Sequence, residues 1–283
     1  MATFPEQALA WVNGLLVAVF DGVFTLLGPL PPLLGVTAVS VITGVAMLGV
    51  VARTSDQSAM AEAKRRMQAG LLEVRLLNDD PAAVLRALGD LLLANLRYLR
   101  LSLVPLAWMI VPITLVIAQV QSFYGYDGLD VGAPVLLSVD AAPESAAAGH
   151  EPLTLDAPPE LRLDTPAVRL QESNEVIWRL VPTAAGSYAV TFRSGSRTAT
   201  KQIEVGTGIR RRSPRRGAPA LVDQLLYPSE PPLSADSPVT RIGVPYPEPG
   251  LDVFGWRVHW LVAFVVLSTV AAFGFARRFG VVL

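Results

Sequence analysis

Three apolar runs of about twenty residues constrain this chain more than any other feature. They cover residues 33–52, 101–121 and 256–276, and only the last contains charged or titratable side chains, Arg257 and His259 near its start. At a rise of about 1.5 Å per residue, each run is long enough to cross about 30 Å of hydrocarbon. The composition agrees, with 52% hydrophobic and 17% charged residues. We therefore expect a membrane α-helical protein with three transmembrane helices, at 33–52, 101–121 and 256–276.

The first 32 residues contain a fourth apolar stretch with a different character. Residues 8–27 include Asn13 and Asp21, which fall on one side of a helix, and the Gly/Pro-rich segment 28–32 then breaks it. An aspartate in the middle of a bilayer is costly, so we expect residues 1–32 to form an interfacial amphipathic helix followed by a proline elbow. A cleavable signal peptide is the alternative, and the absence of a positive charge before residue 7 speaks against it.

The distribution of basic residues predicts the topology. Residues 53–100 carry eight basic side chains: Arg53, Lys64, Arg65, Arg66, Arg75, Arg86, Arg97 and Arg100. Under the positive-inside rule this loop is cytoplasmic, residues 122–255 lie outside, and the tail 277–283 returns to the cytoplasm. We therefore expect a multi-pass protein of the inner (cytoplasmic) membrane with its N-terminus outside and its C-terminus inside. The basic cluster 210–216 conflicts with this scheme, but long loops translocate largely regardless of charge.

The loop 53–100 itself has a helical pattern. Two stripes recur at the 3- and 4-residue spacings of a helix face: Met60, Ala63, Met67, Leu71 and Val74, then Leu85, Leu88, Leu92, Leu96 and Leu99. Between them Asp80 can cap a second helix that has Pro81 in its first turn. We expect an antiparallel helical hairpin in which the two stripes pack as a coiled coil. Its tip residues for partner contact are Lys64, Arg65 and Arg66; the alternative is a hairpin that only spaces the two spans.

The pattern outside the membrane changes to a period of two. Short apolar runs with alternating polarity, separated by Pro, Gly, Asp and Ser, predict an all-β immunoglobulin-like sandwich over residues 130–206. Trp178 is expected in its core, with Tyr188 on a late strand. Residues 207–255 are expected to form a Pro-rich tether, with some order at 221–227. The basic cluster in this tether could bind lipid phosphates or an acidic partner, or simply be solvated; nucleic acid is disfavoured because no aromatic residue lies between its arginines.

The residue types available exclude several chemistries. The chain has no cysteine and two histidines, His150 and His259, which lie far apart in sequence. No phosphate-binding loop, metal-spaced histidine cluster or paired intramembrane carboxylate is visible. We expect no enzymatic activity, no metal and no cofactor.

The order of these segments resembles a known family. An interfacial helix, a span, a basic helical pair and a span containing prolines resemble the Oxa/YidC membrane insertase superfamily, particularly its three-span members, the archaeal YidC-like proteins and the third subunit of the endoplasmic-reticulum membrane protein complex. The likeness is carried by residues 33–53, Asp56-Gln57, 64–67 and 96–112, the last with Pro105 and Pro112. It covers about a third of the chain, plus the final span by position.

The resemblance implies a membrane insertase or chaperone that works without covalent chemistry. A hydrophilic groove open to the cytoplasm would receive the polar flank of a nascent membrane-protein helix and lower the cost of its insertion. The groove-lining candidates are Thr37, Ser40, Thr43, Ser102 and Thr114. Its mouth would hold Arg53, Arg97 and Arg100, which could instead bind lipid phosphates. Ser and Thr within spans can equally bond to their own helix carbonyls, which leaves a structural alternative for each.

The chain also departs from this family. No charge precedes Arg53 in the first span, and the β region stands where three-span members have a short loop. Since three spans do not close a groove, the expected partners are membrane lipid, nascent helices and a small membrane protein that completes the groove. The alternative function is a non-catalytic structural or signalling subunit of a membrane complex that binds a partner through the β-sandwich.

Overall fold

The computed structural model describes residues 4–76, 81–143, 152–170, 172–253 and 255–281. The chain forms two compact units. The mixed unit takes the chain up to Val36 together with Leu115–Leu261, and the helical unit takes Thr37–Thr114 together with the chain from Val262 onward. All eleven candidate site residues lie in the helical unit.

Six α-helices and one 3₁₀ turn occur within the described residues. They are α1 (Phe4–Leu27), α2 (Pro32–Thr54), α3 (Gln57–Leu76), α4 (Pro81–Tyr124), α5 (Leu221–Leu226), α6 (Trp260–Ala276) and the 3₁₀ turn Arg277–Phe279. Three helical stretches are long and apolar enough to cross a membrane: Pro32–Thr54, Val84–Tyr124 and Trp260–Phe279. The prediction of three membrane-capable helices is therefore confirmed, and it indicates a membrane protein. The predicted start of the third helix is wrong, because Trp256–His259 form a β-strand and the helix begins at Trp260. The apolar part of α1, Trp11–Leu27, is a shorter stretch.

Helix α4 is a single element of 44 residues that contains both Pro105 and Pro112. At about 1.5 Å per residue it is about 66 Å long, roughly twice the thickness of a bilayer's hydrocarbon core. Its charged residues, Arg86, Asp90, Arg97 and Arg100, all lie in its N-terminal half. If α4 spans a membrane, it is this N-terminal half, here called the arm, that extends beyond the lipid.

The two helices of the hairpin pack through a different face of α4 from the predicted one. On α3, Met60 and Ala63 of the predicted stripe are buried and Met67 and Val74 are half-buried, but Leu71 is 57% exposed. On α4, however, the buried residues are Ala87 and Ala94, while Leu85, Leu88, Leu92, Leu96 and Leu99 are all exposed. Small residues let the helices approach closely, as where a Cβ on Gly70 would meet the Leu91 side chain at 3.4 Å. The predicted pairing of two large apolar stripes is therefore wrong for α4, and the predicted cap Asp80 lies outside the described residues.

The start of α3 is fixed by a side-chain cap. The Asp56 carboxylate accepts hydrogen bonds from the Ala59 amide at 2.9 Å and the Ser58 hydroxyl at 2.7 Å. The bond from the Ala59 amide satisfies one of the backbone donors that the first turn of a helix leaves without partners. The Ala59 amide, followed by the Ser58 hydroxyl, lowers the pKa of Asp56 below its ordinary value. The carboxylate thus remains charged at the positive end of the helix dipole.

The described residues of the β region form eleven strands: β1 (Val135–Ala141), β2 (Thr154–Asp156), β3 (Leu161–Leu163), β4 (Val168–Leu170), β5 (Glu175–Pro182), β6 (Gly186–Ser194), β7 (Arg197–Val205), β8 (Arg215–Gly217), β9 (Val239–Gly243), β10 (Gly250–Val253) and β11 (Trp256–His259). A six-stranded sheet has the order β3-β5-β1-β9-β8, with β4 also paired to β5. A three-stranded sheet has the order β2-β6-β7. All paired strands are antiparallel.

One apolar core joins the two larger sheets. Leu137 on β1 and Trp178 on β5 contribute from the six-stranded sheet, and Phe192 on β6 and Ile203 on β7 from the three-stranded one. The Trp178 and Phe192 ring centroids are 5.7 Å apart. The alternation of buried and exposed residues along β6 and β7 follows from the period of two that predicted these strands. Trp178 is a core residue, as expected.

The segment predicted as a tether is largely built into the β region. Strands β8 and β9 lie within residues 207–255 and extend the six-stranded sheet, and β9 pairs directly with β1. Val239 and Ile242 of β9 are buried in the shared core, with Tyr246 beyond them. The Pro-rich composition hid these strands because the prolines flank them and leave the ladder positions of β9 to other residues. The expectation of an extended tether is wrong for this part of the chain.

Candidate functional site

The predicted groove-lining residues of α2 lie on a packed helix surface. Ser40 and Thr43 are buried and Thr37 is half-buried. Thr37 and Ser40 stand seven and four residues before Gly44 and so share its face of the helix. A Cβ on Gly44 would come within 2.4 Å of the Ser268 carbonyl oxygen, which shows that this face of α2 approaches α6 closely.

The two candidates on α4 bond within their own helix. The Ser102 hydroxyl donates to the Tyr98 carbonyl at 2.9 Å, and the Thr114 hydroxyl donates to the Ile110 carbonyl at 2.7 Å. This is the structural alternative that the sequence left open for residues of this type. The five candidates are therefore not gathered around one cavity.

An apolar cleft lies between α2 and α4. It has a volume of about 650 Å³ and is lined by Val50, Val104, Ala107, Trp108, Val111 and Pro112. Val50 is near the end of α2 that leads into the hairpin, and residues 104–112 lie in the half of the 101–121 run next to the arm. Trp108 is 65% exposed although it lines this cleft. The cleft is thus an open apolar surface on the hairpin side of the spans, and sequence reasoning missed it.

A second cleft lies in the hairpin and is charged. It has a volume of about 540 Å³ and is lined by Arg66 and Glu73 from α3, Asp90 and Arg97 from α4, and small or apolar residues between them. Arg66 and the predicted mouth residue Arg97 therefore line one cleft. The placement of Lys64, Arg65 and Arg66 at the hairpin tip is wrong, because they lie in the first half of α3, which continues to Leu76. Two positive and two negative side chains leave it without net charge, so it can bind polar groups of either sign.

The remaining predicted basic residues do not join this charged cleft. Arg53 and Arg100 are exposed, and an Nη1 of Arg53 lies 3.4 Å from the Gly49 carbonyl of its own helix. Arg65 is exposed and Lys64 half-buried on α3. Their predicted roles at a groove mouth, at lipid phosphates or in partner contact stay predictions.

The mixed unit contains a polar cluster around Arg211 that sequence reasoning missed. Its Nε lies 2.8 Å from an Asp21 carboxylate oxygen, and its Nη1 donates to Gln119 at 3.0 Å. Its Nη2 donates to the Val17 carbonyl at 3.3 Å, and the guanidinium carbon lies 4.7 Å from the centroid of the Phe123 ring. Arg211 thus joins the β region to both α1 and the end of α4.

Two further cations are buried beside this cluster. Arg212 is 2% exposed and donates to the carbonyls of Tyr126 and Gly208, each at 2.7 Å, while its amide donates to Ser122 at 2.7 Å. Lys201 is fully buried; it donates to the Ser213 carbonyl at 2.6 Å and pairs with the Glu230 carboxylate. Burial lowers the pKa of both Lys201 and Arg212, whereas Glu230 acts to raise that of Lys201.

Two tyrosines, Tyr126 and Tyr246, lie near Arg212 in the mixed unit. Burial raises the pKa of Tyr246 above its ordinary value, and its hydroxyl accepts a hydrogen bond from the Glu204 amide at 2.9 Å. Burial likewise raises the pKa of Tyr126, whose hydroxyl accepts from Gln121 at 2.6 Å. Both phenols are neutral at physiological pH, so the cations in this region are balanced by carboxylates and carbonyls rather than by phenolates.

The sequence contained one signal for the Arg211 cluster. Asp21 is a costly residue within an apolar helix, and a cation or several hydrogen-bond donors lower that cost. Its partner lies 190 residues away, a separation that periodicity and spacing cannot bridge.

No group of three or more His, Asp or Glu side chains within the described parts of the chain is placed to hold a metal ion. Comparison with family models, with curated proteins and with solved structures gives no match to this chain.

Proposed function

We propose that this chain is a membrane insertase or membrane chaperone of the YidC-like type, which eases the insertion of passenger helices through a groove open to the cytoplasm. The observation that carries the proposal is the open apolar cleft beside Trp108, on the hairpin side of the two connected spans. The function is binding and release, with no enzymatic step.

The two clefts suit the two parts of a passenger helix. The apolar cleft offers contact to an apolar segment before lipid surrounds it. The charged cleft of the hairpin offers hydrogen-bonding partners to the polar flank, whose transfer into hydrocarbon otherwise costs several kcal/mol. The predicted groove of Ser and Thr side chains is replaced in this proposal by an apolar surface and a separate polar one. A small membrane partner that supplies the missing wall beside Trp108 remains part of the proposal.

Site-specific photo-cross-linking tests the passenger contact. A photoreactive residue replaces Trp108 in the full chain, and a control carries it at Phe273 of α6, which is similarly exposed at 63%. Proteoliposomes holding either variant receive a newly synthesised membrane protein with a short tail. We expect cross-links to the passenger from position 108 and few from position 273. Equal labelling from both positions contradicts the proposal.

Filling the cleft tests whether it acts in insertion. Ala107→Trp places a large side chain in the cleft lining, and Ala107→Val is the smaller matched change. We expect several-fold slower insertion with Ala107→Trp and little change with Ala107→Val. If the unmodified chain inserts no more passenger than protein-free liposomes do, the proposed function is wrong.

A second function is favoured by a specific surface of the β region. Leu136 of β1 and Val168 of β4 are more than half exposed, and both strands pair with β5. β1 and β4 flank β5, and their registers place Leu136 and Val168 on the same face of the sheet. A contiguous apolar face of this kind can mark a protein-binding surface. A structural or signalling subunit would use this face to bind a partner.

We also infer that this β region is immunoglobulin-like. Trp178 lies in the core between the two larger sheets, and the Tyr188 hydroxyl donates back to the Ala184 carbonyl at 3.1 Å. A core tryptophan and a tyrosine bonded to the backbone a few residues upstream are features of that fold.

The double variant Leu136→Asp and Val168→Asp separates the two proposed functions. Insertion should persist in this variant, whereas a partner bound through this face of the β region should no longer co-purify from detergent extracts.

A further inference from the structure

The arm of α4 presents an apolar surface that neither the hairpin nor the proposed passenger site uses. This leucine stripe comprises Leu85, Leu88, Leu92, Leu96 and Leu99 on the arm, continued by Leu103, Leu106 and Ile110. Every member is between 44% and 71% exposed. Lipid can cover the last three, but the five leucines of the arm lie in the half of α4 that extends beyond the hydrocarbon.

The stripe occupies its own side of the helix. At about 100° per residue, its centre lies roughly 150° from the face of Ala87 and Ala94 that packs on α3. It also lies roughly 140° from the side that carries Arg86, Asp90 and Arg97. Trp108 and Val111, which line the apolar cleft, project from a different side of α4 than Leu106 and Ile110 do. The stripe is therefore separate from both clefts.

The spacing of the stripe is that of a coiled-coil seam. Its members follow one another at intervals of 3, 4, 4, 3, 4, 3 and 4 residues, with one extra four-residue step between Leu92 and Leu96. The pattern covers almost four heptads, the length at which such a repeat indicates a coiled coil rather than a chance alternation. Surfaces that receive many different helices favour adaptable side chains such as methionine, whereas leucines at fixed intervals select one register.

A second copy of the chain fulfils these requirements. Both copies enter the membrane in the same orientation, so their α4 helices are parallel and identical positions can meet across a two-fold axis. Arg100 lies on one flank of the stripe and Asn95 on the other. In a parallel pair Arg100 of one copy faces Asn95 of the other, five residues earlier, where the guanidinium can donate to the amide oxygen. The charged side of the arm points away from the axis, so no like charges meet.

We propose that the leucine stripe of α4 is a dimerisation surface, on which two copies of this chain pair in parallel from the arm into the membrane. Each dimer then carries two apolar clefts and two hairpins. The proposal goes beyond the proposed function and does not depend on it, because the stripe would pair two copies whatever the clefts bind.

Disulfide cross-linking in membranes tests the pairing, since the natural chain contains no cysteine. Single variants Leu92→Cys, Leu96→Cys and Leu99→Cys of the full chain are oxidised in membrane vesicles. Leu93→Cys is the matched control, because Leu93 is as exposed as Leu92 but lies off the stripe. We expect a disulfide-linked species of twice the chain mass, in several-fold higher yield from the three stripe positions than from position 93.

A second measurement does not depend on cysteine reactivity. Two copies with different affinity tags are co-expressed and co-purified in mild detergent, with Leu92→Glu and Leu96→Glu combined as the disrupting variant and Leu93→Glu as its control. We expect the disrupting pair alone to abolish co-purification. The proposal is wrong if the stripe positions give no disulfide-linked dimer, or if position 93 gives the same dimer yield as they do. It is also wrong if the stripe positions cross-link to a passenger or to another polypeptide instead of a second copy. None of these readouts measures insertion, so a failure of the proposed function remains distinguishable.

Discussion

At the scale of single residues, Arg211 makes the most consequential contacts of the basic cluster. Replacing it with alanine removes the partner of Asp21 and a donor to the buried Gln119. A charge-assisted hydrogen bond contributes about 1.5–3 kcal/mol, and the half-exposed Asp21 reduces this, so we expect a loss of about 1–2 kcal/mol. Hydrogen exchange in detergent measures the effect: the backbone amides of α1 should exchange faster in Arg211→Ala than in the natural chain.

Arg210→Ala provides the control for this prediction. Arg210 is exposed and lies 3.7 Å from Glu204, a surface pair that contributes little. Equal effects of the two substitutions would mean that Arg211 does not fix α1.

A second residue-scale prediction concerns pH. Burial raises the pKa of Tyr246, so the folded protein retains a proton that the unfolded chain releases above its ordinary pKa of 10.0. The stability due to the neutral phenol is therefore complete below pH 10 and is lost as pH rises further, by up to about 1.4 kcal/mol per pH unit. Urea unfolding between pH 8 and 11, followed by fluorescence of a variant with Trp178 as its only tryptophan, measures this slope.

Tyr246→Phe isolates the effect of the phenol. The variant loses the hydrogen bond from the Glu204 amide and should be somewhat less stable at pH 8. Between pH 10 and 11, however, its stability should fall less steeply than that of the natural chain. An unchanged slope would assign the alkaline sensitivity to other groups whose pKa burial raises, such as Tyr126.

The residue scale also shows where sequence reasoning stopped. Trp178 could be placed in the core because it follows the alternation of its own strand. The buried state of Lys201 and Arg212 could not, because their partners come from segments that only the folded chain brings together. Arginine and lysine are ordinarily exposed, and their burial here depends on carbonyls and a carboxylate that no local pattern marks.

At the scale of elements, the contact of α2 with α6 depends on Gly44. A Cβ at this position would lie 2.4 Å from the Ser268 carbonyl oxygen, so Gly44→Ala must push the two helices apart. Overpacking of this kind costs about 1–3 kcal/mol, partly offset by about 1 kcal/mol from the better helix propensity of alanine. Unfolding in detergent, followed by helical circular dichroism as denaturant is added, should show lower stability.

Gly49→Ala is the matched control on the same helix. Its added Cβ would find an Arg53 nitrogen at 3.6 Å, an ordinary contact distance. This variant should be as stable as the natural chain or slightly more so. If Gly44→Ala were as stable as Gly49→Ala, α2 and α6 could move apart without loss of stability, which would contradict the prediction.

The elements themselves were predictable to different degrees. The existence of the long apolar helices, the strand alternation between residues 135 and 205, and the proline at the start of α4 followed from local patterns. The packing face of α4 did not, because a leucine stripe signals an apolar face without saying what covers it. Ala87 and Ala94 contribute little apolar surface each, yet they permit the close approach that places them against α3.

At the scale of the whole molecule, the basic cluster 210–216 belongs to the folded mixed unit rather than to a solvated tether. Every arginine of the 210–216 cluster has a partner within the mixed unit: Arg210 with Glu204, Arg211 with Asp21, Arg212 with three carbonyls, Arg215 with Asp223 and Arg216 with the Pro231 carbonyl. The arginines of the cluster thus form hydrogen bonds or ion pairs within the mixed unit, whereas Arg65, Arg97 and Arg100 of the hairpin are exposed. The predicted cytoplasmic placement of the hairpin rests on the basic residues of the hairpin itself and stays a prediction.

The last prediction is the placement of the two units across the membrane, and the absence of cysteine makes it directly testable. Arg65→Cys lies on the exposed side of α3, and Ser196→Cys lies in the exposed turn between β6 and β7. A membrane-impermeant maleimide applied to intact spheroplasts should label position 196 and spare position 65, and inverted vesicles should reverse the result. Because α4 is continuous between the hairpin and the β region, a spanning α4 must leave these positions on opposite sides. Labelling of both from one side would exclude α4 as a span, and a reversed pattern would put the hairpin outside the cell and remove the cytoplasmic opening that the proposed insertase requires.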